Sequence, residues 1–194
     1  MITFPARRLL ADAPEYQIRV PTVYLSNATG IEMKNEPAIN DQKADFVVLF
    51  VGRLHPEQNV SYLVKAFAEF RKEATCGELW ILGEGHLKKE LMKEVASLGI
   101  SRYVKFCGWV PCHEVGAYYA KASLFVLPSW VETQGMVALE GIRYSLPILL
   151  SRVLVSAEDL VEDGVNGFLI DPSAPEELTK NFRLSLEMRF LVNA

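Results

Sequence analysis

From Asp45 onward the chain alternates short, nearly continuous apolar runs with longer amphipathic stretches. The runs are Phe46 to Val51, Glu78 to Leu82, Tyr103 to Phe106, Leu124 to Leu127, Pro147 to Leu150 and Gly167 to Ile170. Strands covered on both faces read this way because neither face meets water, so the pattern predicts six buried, mainly parallel strands. Leu63, Ala66, Phe67 and Phe70 recur at helical spacing, as do Leu87, Leu91, Val95 and Leu98 with charged residues opposite them. These predict two helices that cover the sheet. Gly99 follows the second where a C-cap glycine belongs, and Pro175-Glu176-Glu177 suits a first helical turn.

Alternating strand and helix signals imply βα units, hence a doubly wound, six-stranded, Rossmann-like α/β domain over residues 42–194. Residues 1–41 differ: Pro5, Pro14, Pro21 and Pro37 interrupt them and their apolar residues have no sustained period, so they read as a connector or arm. No internal repeat or low-complexity tract is present.

Composition narrows the function. The chain has 194 residues, half of them hydrophobic, and a formal net charge of -4, with a pI near 5.5. That balance disfavours a phosphate-backbone footprint, so nucleic acid is not an expected partner. No apolar run approaches the ~20 residues needed to span a bilayer, and the N-terminus lacks a secretory apolar run, so a cytoplasmic location is expected. Cys76, Cys107 and Cys112 are odd in number and lack metal-ligand spacing, and His55, His86 and His113 have no partner at metal spacing. Free thiols and no metal follow as expectations.

In doubly wound sheets ligands bind beyond the carboxyl ends of the strands. Gly52-Arg53 follows the first run and Gly83-Glu84-Gly85 the second. Glycines there let backbone amides approach a ligand, and Arg53 suits bidentate pairing with phosphate. Each glycine pair taken alone reads more readily as an ordinary strand-to-helix turn. After Leu127 comes Pro128-Ser129-Trp130-Val131-Glu132-Thr133-Gln134-Gly135, with a helix expected to begin near Gly135. Its N-terminus would offer the amides of Gly135, Met136 and Val137 to an anion or to hydroxyls. Glu140 lies on the same face as Met136, about 6 Å further along the axis. The plainer alternative makes Glu132 a loop acid and Glu140 a solvated helix residue. Trp109, Tyr118, Tyr119 and Trp130 read as core or rim packing, with Trp109 also placed to border a base or sugar.

Five ordered blocks resemble the C-terminal domain of the family 4, or group 1, retaining glycosyltransferases of GT-B architecture. They are Val51-Gly52-Arg53-Leu54-His55-Pro56-Glu57 with Asn59; Leu79-Trp80-Ile81-Leu82-Gly83-Glu84-Gly85; Val104-Lys105-Phe106-Cys107-Gly108-Trp109-Val110-Pro111; Leu127-Pro128-Ser129 with Glu132, Gly135 and Glu140; and Asp163-Gly164 with Asn166-Gly167-Phe168-Leu169. The resemblance implies a nucleoside-diphosphate-sugar donor, transfer with retention, and no metal or other cofactor. It implies that Arg53 binds the diphosphate within a donor site that includes Gly52, Gln58, Gly83 and Gly85. Glu132 with the amides of Gly135, Met136 and Val137 would hold the sugar, Glu140 the ribose, and Trp109 and Val110 the base. Arg53 and Glu132 are the residues it marks as catalytic.

The family's acceptor-binding N-terminal domain is absent from these residues, so an isolated fragment is expected to be inactive. Any peripheral membrane contact is expected through that absent domain. Four positions depart from the family pattern. Gln58 replaces a lysine, Gln134 an aromatic residue, Ser145 a glycine, and Leu154-Val155 a glycine pair. The expectation is a crowded donor pocket with one cation fewer. Those departures keep open a noncatalytic regulatory or scaffolding relative. An unrelated nucleotide-binding domain is disfavoured because neither a Gly-x-Gly-x-x-Gly nor a Walker loop occurs.

Overall fold

The structure is a computed structural model that describes residues 2–11, 22–24, 46–132 and 134–192. The six apolar runs are six strands: β3 (Val47–Val51), β4 (Glu78–Leu82), β5 (Val104–Gly108), β6 (Leu124–Leu127), β7 (Ile148–Ser151) and β8 (Gly167–Ile170). They form one sheet in the order β5-β4-β3-β6-β7-β8, with every neighbouring pair parallel. The chain moves outward from β3 to β5, returns to β6 beside β3, and moves outward again to β8. With right-handed crossovers, such a reversal places helices on both faces, as the alternating pattern predicted.

Helix α2 (Val60–Glu73) covers the sheet with the predicted Leu63, Ala66, Phe67 and Phe70, all buried. It packs against α3 (Lys88–Ser97) and α7 (Pro175–Val192). Phe70 joins Phe46 at 5.8 Å and Phe182 of α7 at 5.7 Å between ring centroids, a tilted aromatic cluster typical of dense cores. Helix α3 ends at Gly99, whose φ of +71° is left-handed. The Ile100 N–H reaches the Val95 carbonyl at 3.2 Å and the Gly99 N–H the Ala96 carbonyl at 3.1 Å, the Schellman pattern that satisfies a helix C-terminus.

Helices α4 (Cys112–Lys121), α5 (Met136–Arg143) and the single turn α6 (Ala157–Leu160) complete the layers. Neither α4 nor α6 was anticipated from periodicity. The leading segment, read as a connector, contains β1 (Ile2–Phe4), α1 (Arg7–Ala11) and β2 (Thr22–Tyr24), with β1 and β2 paired in parallel. Asp159 of α6 accepts the Arg7 backbone N–H at 2.8 Å, satisfying one of the open amides of α1. No helix of the described residues is long and apolar enough to cross a membrane.

Candidate functional site

The carboxyl ends of β5, β4, β3 and β6 are neighbours in the sheet, so their loops meet along one rim. Hydrogen bonds stitch that rim together. The Gly83 N–H reaches the Gly108 carbonyl at 2.7 Å, Gly52 N–H the Leu82 carbonyl at 3.0 Å, Leu54 N–H the Glu84 carbonyl at 2.9 Å, and Trp130 N–H the Glu57 carbonyl at 2.8 Å. Every predicted site residue belongs to one of these loops or to α5 behind them.

The glycines do something other than expected. Gly83 has φ +134°, and a Cβ there would sit 1.9 Å from the Gly52 carbonyl oxygen; one on Gly85 would sit 2.3 Å from that of Leu54. Both positions need glycine because two loops touch through their backbones. The amides of Gly52 and Gly83 are already bonded within the rim, so the expected approach of those amides to a ligand gives way to loop-to-loop packing. Arg53 does remain available: its side chain is 73% exposed, and its Nη2 lies 3.7 Å from Glu57 Oε1. An exposed contact of that length restrains the guanidinium weakly and leaves it free to take an anion. His55 and His86 meet edge to face with ring centroids 4.4 Å apart on the same rim, a pairing that sequence spacing did not signal.

Gln58 also departs from expectation. It is 4% exposed; its Nε2 donates to Glu132 Oε1 at 3.0 Å and its Oε1 accepts from Ser129 Oγ at 3.2 Å. Glu132 itself is only partly buried, and its carboxylate is braced from within by Gln58.

Beyond Glu132, Gly135 takes φ +63° as the N-cap of α5, and no side chain caps that end. The amides of Ala138 and Leu139 turn back to the Gly135 carbonyl at 2.8 and 3.3 Å. The earlier amides, those of Met136 and Val137, are the orphan donors of a helix start, where the backbone dipoles add partial positive charge. Five positions into α5, Glu140 accepts a hydrogen bond from Tyr119 of α4, whose hydroxyl lies 3.0 Å from Glu140 Oε2 and 2.9 Å from the Val137 carbonyl. Burial pushes the Glu140 carboxyl above its ordinary range, and the Tyr119 hydroxyl draws it partly back. The Tyr119 phenol is itself driven up by burial and by the adjacent Glu140 charge. Sequence reasoning treated Tyr119 as packing alone; its ring is core, but its hydroxyl serves Glu140.

At the sheet edge, the β4–β5 register shifts between Ile81 and Leu82, and Gly108 at φ +73° turns the chain so that Trp109 stands 72% exposed on the rim. Val110 packs partly against the core. An arginine, an open helix N-terminus, two braced carboxylates and an exposed indole thus share one edge of the sheet. Such a set can hold an extended ligand with an anionic middle and hydroxyl-bearing ends.

The remaining departures differ in their surroundings. Leu154 is 2% exposed and belongs to the core cluster. Ser145 keeps the left-handed backbone a glycine would take, with φ +57°, and is exposed. Gln134 is buried. Among the described residues, no group of three or more His, Cys, Asp or Glu side chains is gathered as a metal site.

The family model described as glycosyl transferases group 1 matches residues 32–193. Over 137 residues the chain is 37% identical to an alpha-monoglucosyldiacylglycerol synthase of Acholeplasma laidlawii, covering 71% of this chain and 34% of that protein. Among solved structures, the pneumococcal O-GlcNAc transferase GtfA in complex with UDP and GlcNAc superposes with a TM-score of 0.81 at 20% identity, covering 98% of this chain and 38% of that one. HepE of Anabaena in complex with UDP gives 0.79 at 22% identity, covering 96% and 54%. The chain therefore spans between about a third and about half of the proteins it resembles.

Proposed function

Because the chain belongs to the glycosyl transferases group 1 family, we propose that it forms the donor-binding part of a retaining, metal-independent glycosyltransferase that uses a nucleoside-diphosphate sugar. The observation that carries this reading is the uncapped start of α5, set between the carboxylates of Glu132 and Glu140 on the rim that also bears Arg53. The Arg53 guanidinium would hold the diphosphate and, with the positive end of α5, take up the charge that grows on it as the glycosidic bond breaks, while the amides of Gly135, Met136 and Val137 would help to hold the sugar. Preformed donors of this kind favour the transition state because they need no reorganisation as charge develops.

Glu132 would accept hydrogen bonds from the sugar hydroxyls and Glu140 from the ribose, while the exposed indole of Trp109, with Val110 beside it, would border the base. With diphosphate leaving and acceptor arriving on one face of the sugar, the anomeric configuration is retained. The acceptor site would lie outside the matched region, beyond which the relatives extend.

The test is calorimetric titration of the full-length protein with UDP, GDP and ADP and with a sugar derivative of each. At least one family should bind, and Arg53→Ala should weaken it about tenfold or more, a loss in keeping with one charge-assisted pair. Silence toward all of them sinks the reading. A second reading, a noncatalytic regulatory or scaffolding relative, is favoured by the neutral Gln58 in place of a cation. Sugar transfer by the full-length protein with Gln58 unchanged eliminates that alternative.

A further inference from the structure

Three consecutive residues of the β3–α2 loop are bound to a single stretch of the β6–α5 loop. The Glu57 carbonyl accepts the Trp130 N–H at 2.8 Å. Gln58 meets Ser129 and Glu132 through its amide. The Asn59 side-chain Nδ2 donates to the Pro128 carbonyl at 3.3 Å and to that of Pro172 at 2.9 Å. Gln58 is therefore fixed in the middle of a seam, flanked on both sides by backbone-anchored contacts. Its own amide N–H bonds to the His55 carbonyl at 3.0 Å, closing the 3-10 turn Pro56–Gln58 that presents the side chain inward.

The orientation of the Gln58 amide is chemically determined. A carboxylate offers only acceptors, so the Gln58 NH₂ must face Glu132, and the amide oxygen then faces Ser129, whose fully buried hydroxyl can donate to it. The cradle is tight. A Cβ on Gly52 would lie 2.9 Å from Gln58 Oε1 and 2.9 Å from Phe50, so the missing side chain at Gly52 is the room the amide occupies. Ser129, Gln58 and Glu132 form a relay of donors ending on one carboxylate oxygen, and its buried Ser129–Gln58 link is costly to break.

We propose that Gln58 is the positioning residue for Glu132: it aims the carboxylate at the donor's sugar as a neutral donor and makes no contact with the diphosphate. The proposal rests on the donor-binding reading of the rim. A neutral amide has a consequence that a cation lacks, because it orients Glu132 without cancelling its charge. No competing cation then stands beside Glu132 where positive charge develops on the sugar as the glycosidic bond lengthens.

The experiment uses the full-length protein and four forms: wild type, Gln58→Met, Glu132→Met and the double variant. Methionine conserves the length and most of the volume of glutamine while removing both hydrogen-bonding groups. Affinities are measured for UDP, GDP and ADP and for UDP-glucose, UDP-N-acetylglucosamine, GDP-mannose and ADP-glucose. The quantity read is the affinity for a sugar nucleotide divided by that for its parent diphosphate. In Gln58→Met this ratio should fall about tenfold, the scale of one charge-assisted hydrogen bond, while affinity for the parent diphosphate stays within about twofold. In the Glu132→Met background, which has no acceptor for the Gln58 amide, the same change should leave the ratio unaltered. Equal loss for diphosphate and sugar nucleotide, or an undiminished effect without Glu132, overturns the proposal.

The same four forms are also compared in urea unfolding, which needs no ligand. Coupling between the two substitutions supports the relay, and strict additivity of the two midpoints overturns it. If wild type binds no sugar nucleotide, the donor reading fails on its own, and the unfolding cycle still decides whether Gln58 holds Glu132.

Discussion

Replacing Tyr119 with phenylalanine isolates one hydrogen bond from a large amount of packing. The ring is fully buried, stacked on Tyr144 at 5.6 Å with an interplanar angle of 15° and tilted against Phe125 at 5.7 Å. Phenylalanine preserves those contacts and deletes only the hydroxyl between the Val137 carbonyl and Glu140 Oε2. A hydrogen bond to a charged group contributes about 1.5–3 kcal/mol. Glu140 is only partly buried, so water replaces some of the loss, and a cost of about 2 kcal/mol at neutral pH follows.

The pH dependence has a definite sign. The Glu140 carboxyl is raised above its ordinary value of 4.5 by burial, and Tyr119 lowers it. The folded chain therefore holds that proton to higher pH than the unfolded chain. This contribution is fully present below the unfolded value and declines as pH rises through the folded one. Removing the hydroxyl raises the folded value further and extends that decline upward. At about pH 4, where the carboxyl is largely protonated in both states, the variant loses only a neutral hydrogen bond, about 1 kcal/mol. Thermal unfolding at the two pH values is the assay, and the neutral-pH loss corresponds to roughly 4–8 °C in Tm for a domain of this size. An equal cost at both pH values, or one below about 0.5 kcal/mol at pH 7, refutes the assigned role of Tyr119.

Other outcomes follow from the same geometry. Gly83→Ala places a Cβ 1.9 Å from the Gly52 carbonyl oxygen and should destabilise the fold by about 3 kcal/mol or more, which a denaturant midpoint would show; a cost under about 1 kcal/mol would mean the two loops part easily. Ser145→Gly relieves a left-handed serine at φ +57° and should raise stability by about 1 kcal/mol, whereas a fall in Tm would contradict the strain. Leu154→Gly removes a core side chain and should cost about 3–5 kcal/mol while leaving nucleotide affinity within about twofold. A gain in affinity would restore the expectation that this position crowds the donor site.

The six strands were legible because a parallel sheet buried on both sides leaves almost no polar residue in its strands, and Val47–Val51 and Leu124–Leu127 display that directly. Helices α2 and α3 were legible through their apolar spacing. Helix α4 was not, since its buried positions Val115, Gly116 and Tyr119 are few and one is a glycine. The three-residue strands β1 and β2 are too short to carry an alternation at all. At the site, motif spacing located every loop but not what each side chain touches. The Gln58 contact with Glu132 spans 74 positions, and the Tyr119 contact with Glu140 joins two helices. Neither leaves a local pattern. Ser145 is a converse case: its left-handed φ of +57° is a backbone state that residue identity alone did not signal.

The seam between the β3–α2 and β6–α5 loops also fixes when the site can exist. Its contacts join residues 69, 71 and 74 positions apart, so during synthesis β3, β4 and β5 are complete well before the chain that closes the seam emerges. Long-range closures of this sort form late, after the loop entropy between them has been overcome. Until β6 arrives, one edge of the wholly apolar strand Val47–Val51 lies unpaired, and an open edge of that kind invites association with other nascent chains. Binding at the rim would therefore be a late reporter of folding, available only to chains whose central strand has found both of its neighbours.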